Sequence, residues 1–83
     1  MRSKISTSGR ITILLGKHQA ATGERISPRK LAQKAGVPKD LVYRLDAGAA
    51  RHVDLDSLAR LCAALNCELG DILVWEPGHG ESV

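Results

Sequence analysis

The sequence predicts an all-α fold, a compact bundle of five short helices with room for one short strand near a terminus. Three observations carry that prediction. Phe is absent and Trp75 and Tyr43 are the only aromatic residues, so the core must be built from Leu, Ile, Val and Ala. That composition suits a small helical bundle and is thin in strand formers. Apolar residues recur at helical spacing in successive stretches. Caps and breakers (Ser, Asp, Asn, Pro and Gly) punctuate those stretches at intervals. With 83 residues, one domain is the expectation.

Residues 1–8 are polar and basic and read as an N-terminal arm, either disordered or a short edge strand around Lys4 to Thr7. The first helix is placed near 9–21, because Ile11, Leu14, Leu15 and His18 fall on one face. Thr7 or Ser8 is its expected cap. Thr22-Gly23 ends it, and Ile26 is positioned as a hydrophobic staple before the next cap. Ser27 is the N-cap of the second helix, near 28–35, and Pro28 falls at its first position, where a missing N–H costs nothing. Leu31, Ala32 and Ala35 form its inner face, and Gly36 ends it in a left-handed cap. Val37 is an apolar plug in the joint. Pro38 is expected to open the third helix, near 38–47, with Leu41, Val42 and Leu45 as apolar residues and Gly48 closing. A joint of three or four residues forces a steep crossing, as in a helix-turn-helix. Asp54 is the expected N-cap of a fourth helix, near 55–65. Its apolar stripe is Leu55, Leu58, Ala59, Leu61, Cys62 and Leu65, and Asn66 is its cap. A fifth helix near 69–74 offers Leu69, Ile72 and Leu73. The domain therefore runs over 9–75, with 76–83 a flexible tail. Residues 2–7 pairing as a strand with 72–75, within or between chains, is a further expectation.

Charge is uneven. Residues 1–50 carry ten Lys/Arg against three Asp/Glu, a balance of +7; residues 51–83 carry two against six, a balance of −4. One half is suited to face a polyanion. Cys62 and Cys67 are too few for a disulfide framework. Cys62 shares a face with Leu55, Leu58 and Leu65 and reads as a small buried hydrophobe. A zinc site from Cys62, Cys67, His52 and His79 fits no familiar spacing, and no cofactor is expected. The first residues lack the apolar core of a signal peptide. No run reaches the roughly 18–20 apolar residues of a membrane span. A cytoplasmic protein with reduced thiols is expected.

The residues Leu31-Ala32, Gly36-Val37, Val42, Leu45 and Gly48 stand at a distinctive spacing. They are followed by the run Val53 to Asn66 and by Gly70-Asp71-Ile72-Leu73. In this pattern the chain resembles the Cro and lambda-repressor (XRE) type of bacterial and phage regulators, over about residues 9–74. The resemblance implies a lambda-repressor-like DNA-binding domain and a transcriptional regulator, expected to be a repressor. It also implies that the helix near 38–47 enters the major groove of double-stranded DNA. Lys39, Asp40, Tyr43 and Arg44 are then the candidate base contacts. Lys39 and Arg44 can donate to guanine, Asp40 can accept from cytosine N4, and Tyr43 can donate to phosphate or lay its ring on a sugar. Arg29, Lys30, Lys34 and Arg51 are the candidate backbone contacts. Bland readings stand beside these. Asp40 favours its own helix N-terminus, Tyr43 can cover the joint, and the cations of the second helix can be a solvated face. Leu41 is expected at the margin, within reach of a thymine methyl.

The chain departs from the resemblance at Pro28, Pro38 and Ala47, where relatives often carry side chains that grip phosphate or brace the reading helix. Those losses favour a homodimer on two half-sites. Leu73-Val74-Trp75 is the expected interface, unless Trp75 folds back onto its own bundle. Two other readings keep the fold: an antitoxin that binds DNA and a toxin, and a protein-interaction module without specific DNA binding. No spacing suggests a catalytic triad, nucleophile elbow or metal cluster, so an enzyme is not expected.

Overall fold

A computed structural model describes residues 4–76. Of the tail expected over 76–83, Glu76 ends a strand, while residues 77–83, with His79, and the first three residues of the arm lie outside the described residues. The order is β1 (Lys4–Ser6), α1 (Arg10–Thr22), α2 (Pro28–Ala35), α3 (Lys39–Ala47), α4 (Leu55–Leu65), α5 (Leu69–Ile72) and β2 (Val74–Glu76).

Ile11, Leu31, Val42, Leu45, Leu61 and Ile72 are fully buried, and they come from all five helices. Each helix therefore packs on a shared centre, which is how so short a chain closes a core without Phe. Fully burying one such side chain is worth about 1.5–3 kcal/mol. Ile26 is buried in front of α2, as its staple position predicts. No helix among the described residues is long and apolar enough to cross a membrane.

The ends of the elements follow local chemistry. Ser27 caps α2 by accepting from Lys30 N, and Asp54 caps α4 by accepting from Ser57 N. Gly36 and Asn66 end α2 and α4 in the left-handed region, at φ 75° and 53°. Glu68 and Asp71 form a reciprocal capping box on α5.

Five expectations are corrected. Neither Thr7 nor Ser8 caps α1: Gly9 occupies the cap position with no side chain to offer. The Thr7 hydroxyl instead donates to Leu45 O at 2.6 Å, a buried bond that draws it away from its own helix. Pro38 is the N-cap of α3 rather than its first helical residue, with an extended ψ of 138°. Leu41 is 6% exposed, so it belongs to the core and not to a groove-facing margin. Leu55 is 78% exposed at the first position of α4, and the buried stripe begins at Leu58. Cys62 is only half-buried.

The fifth helix stops at Ile72 because the chain then turns extended, with Leu73 at φ −98° and ψ 108°. It joins a two-stranded antiparallel sheet in which Lys4 faces Glu76, Ile5 faces Trp75 and Ser6 faces Val74. The terminal strand is thus real, pairs within one chain, and uses residues 4–6 and 74–76. Lys4 Nζ lies 3.6 Å from a Glu76 carboxylate oxygen across it.

Candidate nucleic-acid interface

The centre of the site is α3. Its buried residues Leu41, Val42 and Leu45 fix it against α1 and α2. The opposite side is solvent-facing: Lys39, Asp40, Tyr43, Arg44 and Ala47 are all exposed. Counted at about 100° per residue, Asp40, Tyr43 and Ala47 run along the middle of that outer side. Lys39 and Arg44 lie along its two margins. All four candidate base contacts therefore share one exposed surface. Arg44 Nε lies 3.9 Å from an Asp40 carboxylate oxygen, one helical turn away.

Helix α2 leads into α3 through Gly36-Val37-Pro38. The turn is held by Gly36 N and Val37 N, both donating to Ala32 O, at 2.9 and 3.0 Å. Arg60 of α4 braces it from outside: its guanidinium donates to Gly36 O at 3.3 Å and pairs with Asp56 at 2.9 Å. A Cβ on Gly36 would meet that guanidinium at 3.4 Å, and the positive φ disfavours one in any case. Arg29, Lys30 and Lys34 lie exposed on α2, and Arg51 is exposed in the loop after α3. Among the described residues, none of these four, nor Lys39, pairs with a carboxylate.

The acids of the second half behave differently from a repelling surface. Asp54 and Asp56 serve α4 and its Arg60, Glu68 and Asp71 serve α5, and Glu76 serves Lys4. The Ser57 hydroxyl donates to Asp54 at 2.7 Å, and with the Ser57 N–H it holds that carboxyl below its usual range. Negative charge is spent on caps and local pairs. Positive charge on α2, at Lys39 of α3 and at Arg51 after it is left to solvent, while Arg44 lies beside Asp40.

One group of residues that fixes α3 is not evident from the sequence pattern. Asp46 sits in the last turn of α3, where a negative charge is unfavourable for its own helix. Its carboxylate accepts from Thr12 N at 3.0 Å and from the Thr12 hydroxyl at 2.7 Å. It thereby supplies, from another helix, the cap that Gly9 cannot give to α1. Gly9 N also donates to Asp46 O at 2.8 Å, and Thr7 donates to Leu45 O. Arg10 Nε reaches Asp71 O at 2.7 Å, joining the start of α1 to α5. Residues 7–12 thus pin the C-terminal end of α3. The available signal was an acid at the wrong end of a helix.

Two short helices crossing at a glycine turn, with the second helix backed by core and bare on its outer side, define a helix-turn-helix DNA-binding domain. Residues 22–78 match the family model described as the Cro/C1-type HTH DNA-binding domain, and the chain belongs to that family. Among solved structures, the fold is similar to the restriction-modification controller protein C.AhdI from Aeromonas hydrophila. The sequences are 25% identical, over 77% of this chain and 92% of that one, with a TM-score of 0.54. No curated protein matches the chain. The chain is a DNA-binding transcriptional regulator of the Cro/C1 type.

Proposed function

We propose that the protein is a sequence-specific repressor that binds operator DNA as a homodimer, working in the cytoplasm where the chromosome lies. One observation carries this reading. The outer side of α3 is bare, and Arg29, Lys30 and Lys34 on the helix packed against it, Lys39 in its first turn and Arg51 after it are exposed without carboxylate partners among the described residues. On this reading α3 lies in the major groove. Lys39, Asp40, Tyr43 and Arg44 meet base edges, while Arg29, Lys30, Lys34 and Arg51 hold phosphates. The margin positions of Lys39 and Arg44 let each reach either a base or the flanking backbone. A bidentate contact from Arg44 to guanine is worth about 1–3 kcal/mol of discrimination.

A dimer supplies the grip that Pro28, Pro38 and Ala47 do not. The sheet offers the surface for it, because Ile5 and Trp75 face one another across the strands and are 59% and 65% exposed. Trp75 does not fold back onto its own bundle. A C2 pair joined there presents two copies of α3 to half-sites about one helical turn apart.

The experiment is selection of bound duplexes from a random pool, with the wild-type protein and with Lys39→Ala and Arg44→Ala. The expected product is a palindrome with half-sites about ten base pairs apart, relaxed at particular positions by each substitution. Weak binding without enrichment, equally salt-sensitive in all three proteins, would overturn the specific-repressor reading. It would favour a protein-interaction role instead.

A further inference from the structure

The chain's only two cysteines flank the end of α4, Cys62 in its last turns and Cys67 just past its Asn66 cap. They occupy the two positions that a left-handed helix end brings together. Asn66 is in the left-handed region, and Cys67 N donates back to Cys62 O at 3.0 Å. That backbone bond leaves the two Cα atoms at most about 7 Å apart, against the roughly 4.4–6.8 Å that a disulfide requires. At such an end the two side chains ordinarily make an apolar contact. Here both are thiols, each half-buried and each beside the other. Cys67 also lines a groove of about 270 Å³ between α1 and this turn, with Leu14, His18 and Asp71 on its walls, so small reagents can reach it.

We propose that Cys62 and Cys67 are a redox-active pair that closes to an intramolecular disulfide on reaction with hydrogen peroxide and reopens with a dithiol reductant. One of the two thiols reacts first. Its thiolate attacks one peroxide oxygen, an S–O bond forms, the O–O bond breaks, and the departing hydroxide takes up a proton as water. The other cysteine's sulfur then attacks the sulfenic sulfur. The S–S bond forms, the S–O bond breaks, and hydroxide leaves as water with the second thiol's proton. Two thiols and one peroxide become one disulfide and two waters. Burial, helped by Cys62 alongside and by Asp71, pushes the Cys67 thiol up to about 11. Cys67 is therefore held as the thiol at neutral pH, and the backbone geometry of the helix end carries the pairing. The inference stands independently of the DNA-binding reading.

The test treats the full chain with hydrogen peroxide near stoichiometric ratio, traps thiols with N-ethylmaleimide, and reads intact mass. The expected species is a monomer lighter by two hydrogens that takes up no maleimide and regains both thiols with dithiothreitol. Cys67→Ser and Cys62→Ser should each form no intramolecular disulfide and leave any sulfenic acid on the remaining cysteine open to dimedone. The wild-type mass needs no variant, so a misfolded variant does not decide the matter. Disulfide-linked dimers, loss of the two thiols independently of one another, or sulfinic acid without any disulfide would each overturn the proposal.

Discussion

Replacing Asp46 with Ala tests whether residues 7–12 hold α3 in place. The substitution removes two bonds to Thr12, at 3.0 and 2.7 Å. Loss of a cap costs about 1 kcal/mol. The bond from the hydroxyl to a charged acceptor is worth about 1.5 kcal/mol, the low end for such bonds because this one is exposed. Two effects oppose the loss. Removing an anion from the last turn of α3 returns about 0.3–1 kcal/mol, and Ala is the better helix former by up to about 0.7 kcal/mol. The net expectation is a loss of about 1–2 kcal/mol, dominated by the contact with α1. For a domain of this size that lowers Tm by roughly 4–16 °C. The assay is urea unfolding followed by circular dichroism, at one fixed protein concentration so that self-association contributes equally. A double-mutant cycle with Thr12→Ala separates the cross-helix bond from effects inside α3 and should give a coupling of about 1 kcal/mol. A coupling below about 0.3 kcal/mol, or an Asp46→Ala protein more stable than wild type, would refute the reasoning. Asp46 would then be an ordinary misplaced acid.

Two further expectations concern glycine and pH. Gly48→Ala should cost more than Gly23→Ala in thermal melts. Both sites have positive φ, worth about 1–2 kcal/mol against Ala, but a Cβ at Gly48 would stand 3.1 Å from Ser8 Cβ, whereas at Gly23 it meets nothing. Equal losses would show that Ser8 moves aside freely. Asp54 titrates lower in the folded chain than in the unfolded one, because Ser57 bonds its ionised form. The unfolded chain binds the extra proton, so this stabilisation is present above the ordinary carboxylate range and disappears as pH falls through the folded value. The stability gap between wild type and Asp54→Asn should therefore close below about pH 4. A gap that persists in acid would remove Asp54 as its source.

The sequence carried the α2–α3 unit almost to the residue, because every boundary there has a chemical marker. Ser27 and Pro28 open it, Gly36 turns it, and Gly48 closes it. The α4 ends were equally legible from Asp54 and Asn66. What was not legible depends on contacts between elements distant in sequence. Thr7 looked like a local cap, yet its hydroxyl answers Leu45, 38 positions away. Asp46 carried no local purpose until Thr12 was beside it. Leu55 fitted the helical period, but period assigns a face and not whether another element covers the helix's first turn. The end of α5 was set by strand pairing with residues 4–6, and strand partners so far apart leave little trace in either segment alone. The surface positions of Lys39, Asp40, Tyr43 and Arg44 followed from periodicity.

The sheet that joins Lys4–Ser6 to Val74–Glu76 also imposes a schedule. At about 5–20 residues per second, a ribosome delivers β1 roughly 4–14 s before its partner. During that interval α1, α2 and α3 can be complete while Ile5 and an unsatisfied strand edge wait in solvent. An edge of that kind accepts any matching strand. On a crowded polysome the nearest candidate is the newly finished β2 of a neighbouring chain, which offers the same register as the chain's own. Synthesis rate thus sets how long that edge stands open, and slow translation lengthens the exposure in direct proportion.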